Sequence, residues 1–398
     1  MEDRVKNSLK LTASGLAIAL ALALAGCGEE KKQEQASDST TAPATTTETT
    51  TASSTAQPAT TQEAATTPAA PAGGKQLTIV SWGGAYQESQ RKAYYEPYSA
   101  EKGVKIVEEE YDGELGKVKA MVDAKQVTWD VLDVDLGHAL AGCDQGLLEK
   151  LDYSKILDKS KFLPGTAYDC AVGTISYSTI YAYDGDKIKD NPPTTIADFF
   201  DTTKWPGKRG LLKKPFGTLE AALMADGVAA GDVYKVLGTP EGVDRAFKKL
   251  DTIKSDIVWW EAGAQPPELL AKGEVTMTAA WNGRIYNANK QDGKHFVIVW
   301  DGQLLDWDLW SIPLGTPNLD QAYDFIKFAS DAKNMSQQSK YIAYGPTNVD
   351  AVPLIAPDVL KDLPVAPENM KNALPNDGQF WADNNEELTK RFNAWLSQ

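Results

Sequence analysis

The sequence predicts an α/β protein whose folded part has two lobes, joined by two crossing segments that form a hinge. Strand-like apolar runs alternate with amphipathic helical patterns over residues 76–398, which is typical of parallel sheets covered by helices. Two long β-type segments, 171–184 and 305–313, interrupt the alternation. Two such crossings would create a cleft between the lobes. A single continuous α/β domain remains an alternative, because about 320 residues suit one large domain or two lobes.

The first set of elements predicts a parallel sheet. Three apolar runs predict strands, at 77–82, 104–111 and 130–135. Amphipathic patterns predict the helices that connect and follow these strands, at 85–102, 114–125 and 138–145. Gly103 would close the first helix as its C-cap. A β-α-β-α-β order of this kind brings parallel strands side by side, with helices on the faces of the sheet.

A second set of strands and helices follows the first crossing segment. Strand patterns comprise the crossing segment 171–184, the run 209–214, the motifs DIVWWE, VTMTAAW and HFVIVW, and the second crossing segment 305–313. Helix patterns comprise a short helix capped by Thr194 or Thr195, a helix 219–226 capped by Thr218, a helix from Thr239-Pro240 to about Lys254, and helices over 319–339 and 384–398. Threonine as cap and proline at the first helical position are strong start signals.

The N-terminal segment predicts a lipoprotein signal peptide over residues 1–26. Basic residues precede an apolar run, Leu11–Ala25, that ends in small residues, which is the order found in secretory signals. Leu24-Ala25-Gly26-Cys27 resembles the bacterial lipobox, in which cleavage precedes a lipidated cysteine, here Cys27. A single membrane-spanning anchor is the alternative, although about 15 apolar residues fall short of the roughly 20 that span a bilayer.

Residues 27–75 predict a disordered linker between the lipidated cysteine and the folded part. The segment consists mainly of Thr, Ala, Pro, Ser and Gln. Such a composition buries too little apolar surface to offset the entropy of ordering the backbone. As a flexible coil, the linker would span roughly 35–40 Å. The folded part would therefore lie outside the cytoplasm, in the periplasm or at the cell surface, tethered to a membrane.

Charge and histidine content disfavour several function classes. The formal net charge of −15 disfavours a role on nucleic acid. His138 and His295 are the two histidines of the chain, so a His-rich zinc site is excluded. His295 begins the strand-like run HFVIVW, which favours a structural role for it. No HExxH, GxSxG, Walker or GxGxxG pattern occurs. The sequence therefore predicts a protein without a metal, a cofactor or catalytic activity.

Cys143 and Cys170 remain once Cys27 is assigned to lipid. An even pair of cysteines in an oxidising compartment predicts a disulfide between them. Two buried free thiols are the alternative.

Four separated motifs, SWGGAYQES, EVTMTAAWNGR, LDWDLWSIPLGTPN and YGPTN, resemble the spermidine/putrescine-binding proteins of ABC importers in content and order. The resemblance covers the whole folded part. It implies a type II periplasmic-binding fold, with lobe 1 formed by 76–181 and 309–355 and lobe 2 by 182–308 and 356–398. It also implies a monomer that captures a small amine and presents it to an ABC permease, which is driven by a cytoplasmic ATPase.

Matching motif positions predict the ligand-binding residues. The resemblance implies that Trp82, Trp281 and Tyr344 line the cleft, with Tyr86 one helical turn after Trp82, and that Asp308 pairs with a ligand amine. Aromatic faces hold ammonium groups by about 0.5–2 kcal/mol each. Each of these residues has a structural alternative, such as a core role for Trp82.

Asp135 and Arg284 are the candidates that the resemblance does not supply. Asp135 ends a predicted parallel strand, where such sheets bind ligands, but it can equally cap the next helix. Arg284 follows the WNG motif and would repel a polyamine yet bind a carboxylate bidentately, unless it faces solvent or pairs with Glu261 or an aspartate.

The predicted ligand follows from these two opposing features. The family resemblance predicts a polyamine (putrescine or spermidine) as the first candidate ligand. Arg284 makes a zwitterionic γ-amino acid a close second candidate. Two other classes stay open: an extracytoplasmic enzyme acting on a small amine, and an adhesin or scaffold lipoprotein with a vestigial cleft.

Overall fold

One mixed sheet of ten strands organises residues 75–398, the part of the chain that the structure, a computed structural model, describes. The strands are β1 (Gln76–Ser81), β2 (Lys105–Glu110), β3 (Val131–Asp135), β4 (Ala171–Asp184), β5 (Arg209–Leu212), β6 (Ile257–Trp260), β7 (Met277–Trp281), β8 (Phe296–Ser311), β9 (Gly345–Pro346) and β10 (Leu374–Pro375). The predicted signal peptide, the lipidation of Cys27 and the linker up to residue 74 lie outside the described residues.

The helices cover the sheet and connect its strands. Their bounds are α1 (Gly84–Gln90), α2 (Glu96–Lys102), α3 (Gly116–Asp123), α4 (Leu136–Asp144), α5 (Ile196–Phe200), α6 (Thr218–Ala225), α7 (Val233–Leu237), α8 (Pro240–Asp251), α9 (Gln265–Lys272), α10 (Asn282–Gln291), α11 (Leu319–Ser330), α12 (Ala332–Gln338), α13 (Pro357–Leu360) and α14 (Gly378–Leu396). A π-helical turn, 91–95, joins α1 to α2, so the predicted helix 85–102 forms with a widened middle turn and ends at Gly103 as predicted.

The strand order is β2-β1-β3-β8-β4-β7-β5-β6, with β9 beside β4 and β10 beside β8. The pairs β1–β2 and β1–β3 are parallel, as the alternating pattern predicts, and so are β5–β6 and β5–β7. The two long strands β4 and β8 are antiparallel to each other and to their outer neighbours, β7 and β3. They therefore form a central ribbon between two parallel sets.

Two large hydrophobic cores lie on either side of this ribbon. The first core packs the apolar faces of β1, the π turn and α11, through residues such as Leu77, Tyr94 and Phe325. The second core packs α5, α6, α8 and α14 against β5 and β7, through residues such as Phe199 and Phe392. Because each set of elements buries its own apolar faces, the cleft forms where the two sets meet.

Several sequence predictions are wrong in detail. HFVIVW and 305–313 form one strand, β8, because Gly302 takes a positive φ of 72° and lets the chain continue through an Asp-Gly pair. The predicted helix 319–339 is two helices, because the Asp331 carboxylate caps α12 by accepting from the backbone N–H of Lys333. Thr218 does not cap α6: Gly217 is the N-cap, and the Thr218 hydroxyl donates to the Leu212 carbonyl.

Two helix ends also differ from the predicted bounds. Helix α14 begins at Gly378 rather than at 384, because the Asp377 side chain accepts from the backbone N–H of Phe380. Helix α8 ends at Asp251 rather than near Lys254. The other predicted caps, Thr195 for α5 and Thr239 for α8, are confirmed.

Candidate ligand-binding cleft

Chain segments from both sets of elements converge on one small cavity, called here the inner chamber. It is lined by Trp82, Tyr86, Tyr177, Trp281, Arg284, Asp308 and Tyr344 and has a volume of about 20 Å³. Trp82 follows β1 and Tyr86 lies on α1, whereas Trp281 ends β7 and Arg284 lies on α10. The structure thus brings together all of the predicted ligand-binding residues except Asp135.

A larger cavity, the outer chamber, adjoins the inner one. Its volume is about 390 Å³, and Trp82, Tyr177 and Trp281 line both chambers. The rings of Trp82 and Trp281 meet edge to face, with centroids 6.2 Å apart. Aromatic rings in this arrangement present both faces and edges to a ligand chain. The shared rings therefore mark the place where the two chambers adjoin.

Asp308 places a carboxyl group in the inner chamber, and no cationic side chain among residues 75–398 pairs with it. Its side chain is buried, with 5% of the residue exposed. Burial, followed by the charges of Asp133, Asp306 and Asp135, raises its pKa well above the usual range. Ionisation of a carboxyl group in this environment is unfavourable. A ligand cation stabilises the ionised form, because it replaces both the lost hydration and the missing counter-charge.

Tyr86, which lines the inner chamber, is hydrogen-bonded to the buried Asp133. The Tyr86 hydroxyl donates to Asp133 Oδ2 at 2.7 Å, and the Gln90 amide also donates to that oxygen. Burial raises the pKa of Asp133 to about 7, while these hydrogen bonds oppose the rise. Asp306 lies on the same strand as Asp308 but is already satisfied, since it accepts from Tyr177, from Asn376 and from the backbone N–H of Trp307.

Arg284 supplies a buried positive charge to the same chamber. It is 3% exposed, and its two terminal nitrogens donate to the carbonyls of Gly83 at 3.0 Å and Trp82 at 3.3 Å. Its Nε has no hydrogen-bond partner among residues 75–398. The alternatives of a solvent-facing Arg284 or of a pair with Glu261 are wrong, since Glu261 pairs with Lys213 at 2.8 Å. A buried guanidinium without a carboxylate partner is suited to an anionic ligand group.

Asp135 caps α4 and faces the outer chamber rather than the inner one. Its Oδ1 accepts from the backbone N–H of His138, and its Oδ2 lies 2.7 Å from His138 Nδ1. Burial opposes its charge, but the His138 side chain outweighs burial and lowers the pKa of Asp135. Its helix-capping role, one of the two alternatives that the sequence left open, is therefore realised.

A disulfide joins the last turn of α4 to the residue before β4. Cys143, on α4, and Cys170, directly before β4, are bonded, and their Cα atoms lie 5.6 Å apart. The bond fixes the helix that carries His138 to the strand that carries Tyr177.

Two further properties of the described part bear on function. Residues 75–398 contain no cluster of three or more His, Cys, Asp or Glu side chains placed to hold a metal ion. Within the same residues, every helix is too short or too polar to cross a bilayer.

A family model described as bacterial extracellular solute-binding protein matches residues 93–368. The chain belongs to this family. Over 330 residues this solute-binding protein is 48% identical to a protein named gamma-aminobutyric acid-binding protein in Pseudomonas aeruginosa, covering 83% of this chain and 93% of that one. The predicted family resemblance is thereby confirmed.

Two further comparisons support the family and its fold. The solved structure of the Atu4243–GABA receptor superposes with a TM-score of 0.72 and 39% identity, over 81% of this chain and 98% of that one. The spermidine/putrescine-binding periplasmic protein of Escherichia coli is 22% identical over 288 residues, 70% of this chain and 80% of that one. The predicted two-lobe type II fold is confirmed, and this solute-binding protein is of the type that works with ABC permeases.

Sequence reasoning missed two cleft residues of this solute-binding protein. Tyr177 lines both chambers and lies opposite Asp306 in the β4–β8 ladder. The alternation along 171–184 placed it on one face of a crossing strand, which is the signal that was available. His138 lines the outer chamber, and only its place after a strand end pointed there.

Proposed function

We propose that this solute-binding protein captures a zwitterionic ω-amino acid of the γ-aminobutyrate type in the cleft and delivers it to an ABC permease. Lipidation at Cys27 would tether it to the membrane through the linker 27–75. Lobe 1, 76–181 and 309–355, and lobe 2, 182–308 and 356–398, would close over the ligand. The protein would act as a monomer and would return its ligand unchanged.

The observation that carries the proposal is a buried carboxyl group and a buried guanidinium that line one aromatic cavity, neither of them paired with an opposite charge among residues 75–398. Asp308 lacks a cationic partner and Arg284 lacks a carboxylate partner among residues 75–398. A ligand with an ammonium at one end and a carboxylate at the other would neutralise both. The volume of about 20 Å³ matches about one water molecule, hence also one ammonium group.

A polyamine fits this arrangement less well than a zwitterion. A second ammonium near Arg284 would meet a like charge in a site with little water, where repulsion is strong. Two relatives point the same way, since the proteins at 48% and 39% identity are named for γ-aminobutyrate, whereas the spermidine/putrescine-binding relative is 22% identical. We therefore reverse the order that the sequence alone favoured.

Closure of the cleft follows from the fact that the ligand-binding side chains come from both sets of elements. Trp82 and Tyr86 come from the first set of elements, and Trp281 and Arg284 from the second. A ligand that touches both sets stabilises the closed arrangement more than an open one, and this difference drives closure. Arg284 already reaches across to the carbonyls of Gly83 and Trp82, so its guanidinium links ligand contact to closure.

The proposal is tested by isothermal titration of the protein without its linker, residues 75–398, with γ-aminobutyrate, putrescine and spermidine. We expect γ-aminobutyrate to bind more tightly than either amine and to be recovered unchanged. In Arg284→Gln, loss of a buried charge partner should weaken γ-aminobutyrate by about 2–5 kcal/mol, at least about 30-fold. Putrescine should lose less, because it has no carboxylate.

Three outcomes contradict the proposal. The first is a preference for putrescine or spermidine in the wild-type protein, which would restore the polyamine assignment. The second is an equal loss of γ-aminobutyrate and putrescine in Arg284→Gln, which would make Arg284 a structural link only. The third is chemical turnover of the bound amine, which would favour the enzyme class.

A further inference from the structure

The outer chamber has room for a part of the ligand that the inner chamber cannot hold. Its volume is about 390 Å³ against about 20 Å³, and Trp82, Tyr177 and Trp281 line both chambers. An ammonium held at Asp308 would leave the rest of the ligand to extend between these rings. Of the two chambers, Arg284 lines the inner one, so a short ligand would keep its carboxylate there, whereas a longer chain would continue into the outer chamber.

Two buried side-chain nitrogens in the lining of the outer chamber have no hydrogen-bond partner among residues 75–398, Trp82 Nε1 and His138 Nε2. Of the two residues, His138 is the one that can carry a positive charge. Its Nδ1 lies 2.7 Å from Asp135 Oδ2, and this contact fixes the orientation of the ring. Its Nε2 is buried and has no hydrogen-bond partner among residues 75–398. The nearest carboxylate oxygen, Oε2 of Glu114, is 3.9 Å away, beyond hydrogen-bond distance. When the imidazole is protonated, Nε2 carries a second buried N–H, and that N–H requires an acceptor.

The charged groups that face His138 come from three segments: Asp135 at the start of α4, Glu114 before α3, and Lys214 after β5. Burial opposes the charge of the imidazole, but the Asp135 carboxylate outweighs burial and raises the pKa of His138. Lys214 is already paired, since its ammonium lies 3.2 Å from Glu114 and donates to the Asp112 carbonyl, and Lys213 pairs with Glu261 at 2.8 Å. Among residues 75–398, His138 is the cationic side chain of this lining whose buried nitrogen has no hydrogen-bond partner.

We infer that the outer chamber is a second recognition compartment, in which His138 Nε2 donates a hydrogen bond to the acidic group of ω-amino acids longer than four carbons. This inference rests on the proposed function, because the ligand amine is placed at Asp308. Arg284 then binds the carboxylate of a short ligand, and His138 binds the carboxylate of a long one. The ligand range of the protein extends beyond γ-aminobutyrate.

Isothermal titration with γ-aminobutyrate, ε-aminocaproate and hexylamine, on the wild-type protein, His138→Ala and Arg284→Gln, tests the inference. In His138→Ala we expect ε-aminocaproate to weaken about tenfold or more, as loss of a hydrogen bond to a charged group does. Hexylamine, which lacks the carboxylate, and γ-aminobutyrate, which is too short, should each change less than about threefold. Arg284→Gln should show the opposite selectivity.

A conservative variant separates recognition from folding. His138→Gln keeps an N–H donor without the charge, so it should restore part of the ε-aminocaproate affinity. It should also remove the share of the pH dependence that comes from deprotonation of His138, so that ε-aminocaproate affinity follows pH as γ-aminobutyrate affinity does. Equal losses for all three ligands, or no loss for any, would overturn the inference. Failure of every ω-amino acid to bind the wild-type protein would instead reject the proposed function, so the two failures are distinguishable.

Discussion

Asp308→Asn should weaken ligand binding and stabilise the ligand-free protein at the same time. The substitution keeps the side-chain shape but removes a buried charge whose pKa is raised by burial and by three neighbouring aspartates. Loss of a charge-assisted hydrogen bond to the ligand ammonium costs about 1.5–3 kcal/mol, or about 10–150-fold in affinity. The ligand-free variant should melt higher above neutral pH, by about 2 °C for each kcal/mol of strain removed.

The assay combines titration calorimetry with thermal unfolding between pH 5 and pH 8.5. Because the carboxyl of Asp308 has a raised pKa, a cation must bind its ionised form and release a proton, so wild-type affinity should increase with pH. Asp308→Asn should lose this increase.

Asp306→Asn is the matched control, since Asp306 lies on the same strand, is equally buried and does not line the inner chamber. It removes the same charge two residues away and should affect affinity much less. Equal losses in the two variants would show that the general negative potential, rather than a contact at Asp308, holds the amine. Unchanged affinity in Asp308→Asn would refute the site assignment outright.

Two further predictions concern stability. Burial raises the pKa of Glu220 to about 7 from 4.5, so between these two pH values the folded protein holds a proton that the unfolded chain has lost. The free energy of unfolding should therefore fall by about 3 kcal/mol as pH rises from 4 to 8. Glu220→Gln should flatten this pH dependence in urea titrations, and a pH dependence identical to that of the wild type would contradict the prediction. Reduction of the Cys143–Cys170 bond, which closes a loop with a sequence separation of 27, should lower the free energy of unfolding by about 3–4 kcal/mol. Cys143→Ala/Cys170→Ala should unfold at the same urea concentration with or without reductant, and an unchanged wild-type midpoint on reduction would contradict a stabilising bond.

Local patterns predicted most elements of the fold, and the failures have local causes. The Asp301-Gly302 pair is a strong turn signal, yet β8 passes through it. The reason is tertiary: Asp301 Oδ2 accepts from the backbone N–H of Ile196, and Gly302 approaches the Ile196 side chain too closely for any Cβ. No pattern within 296–311 contains that information.

The candidate site was predictable where side chains sit at strand ends. Trp82 and Trp281 follow β1 and β7, and the motifs around them fixed their place in the cleft. Tyr177 and His138 were not predictable in this way. The position of Tyr177 depends on the register of β4 against β8, and that of His138 on its contact with Asp135. The buried state of Arg284 depends on backbone carbonyls some 200 residues away in sequence.

The central ribbon has a consequence for how the chain loses its structure. β4 and β8 are hydrogen-bonded along almost their whole length and form the middle of the sheet between the two cores. Unfolding of either core would expose one end of β4 and β8. Because both cores pack next to these two strands, the loss of one core would also weaken the other. We therefore expect the two halves to unfold in one cooperative transition, although each has its own packed interior.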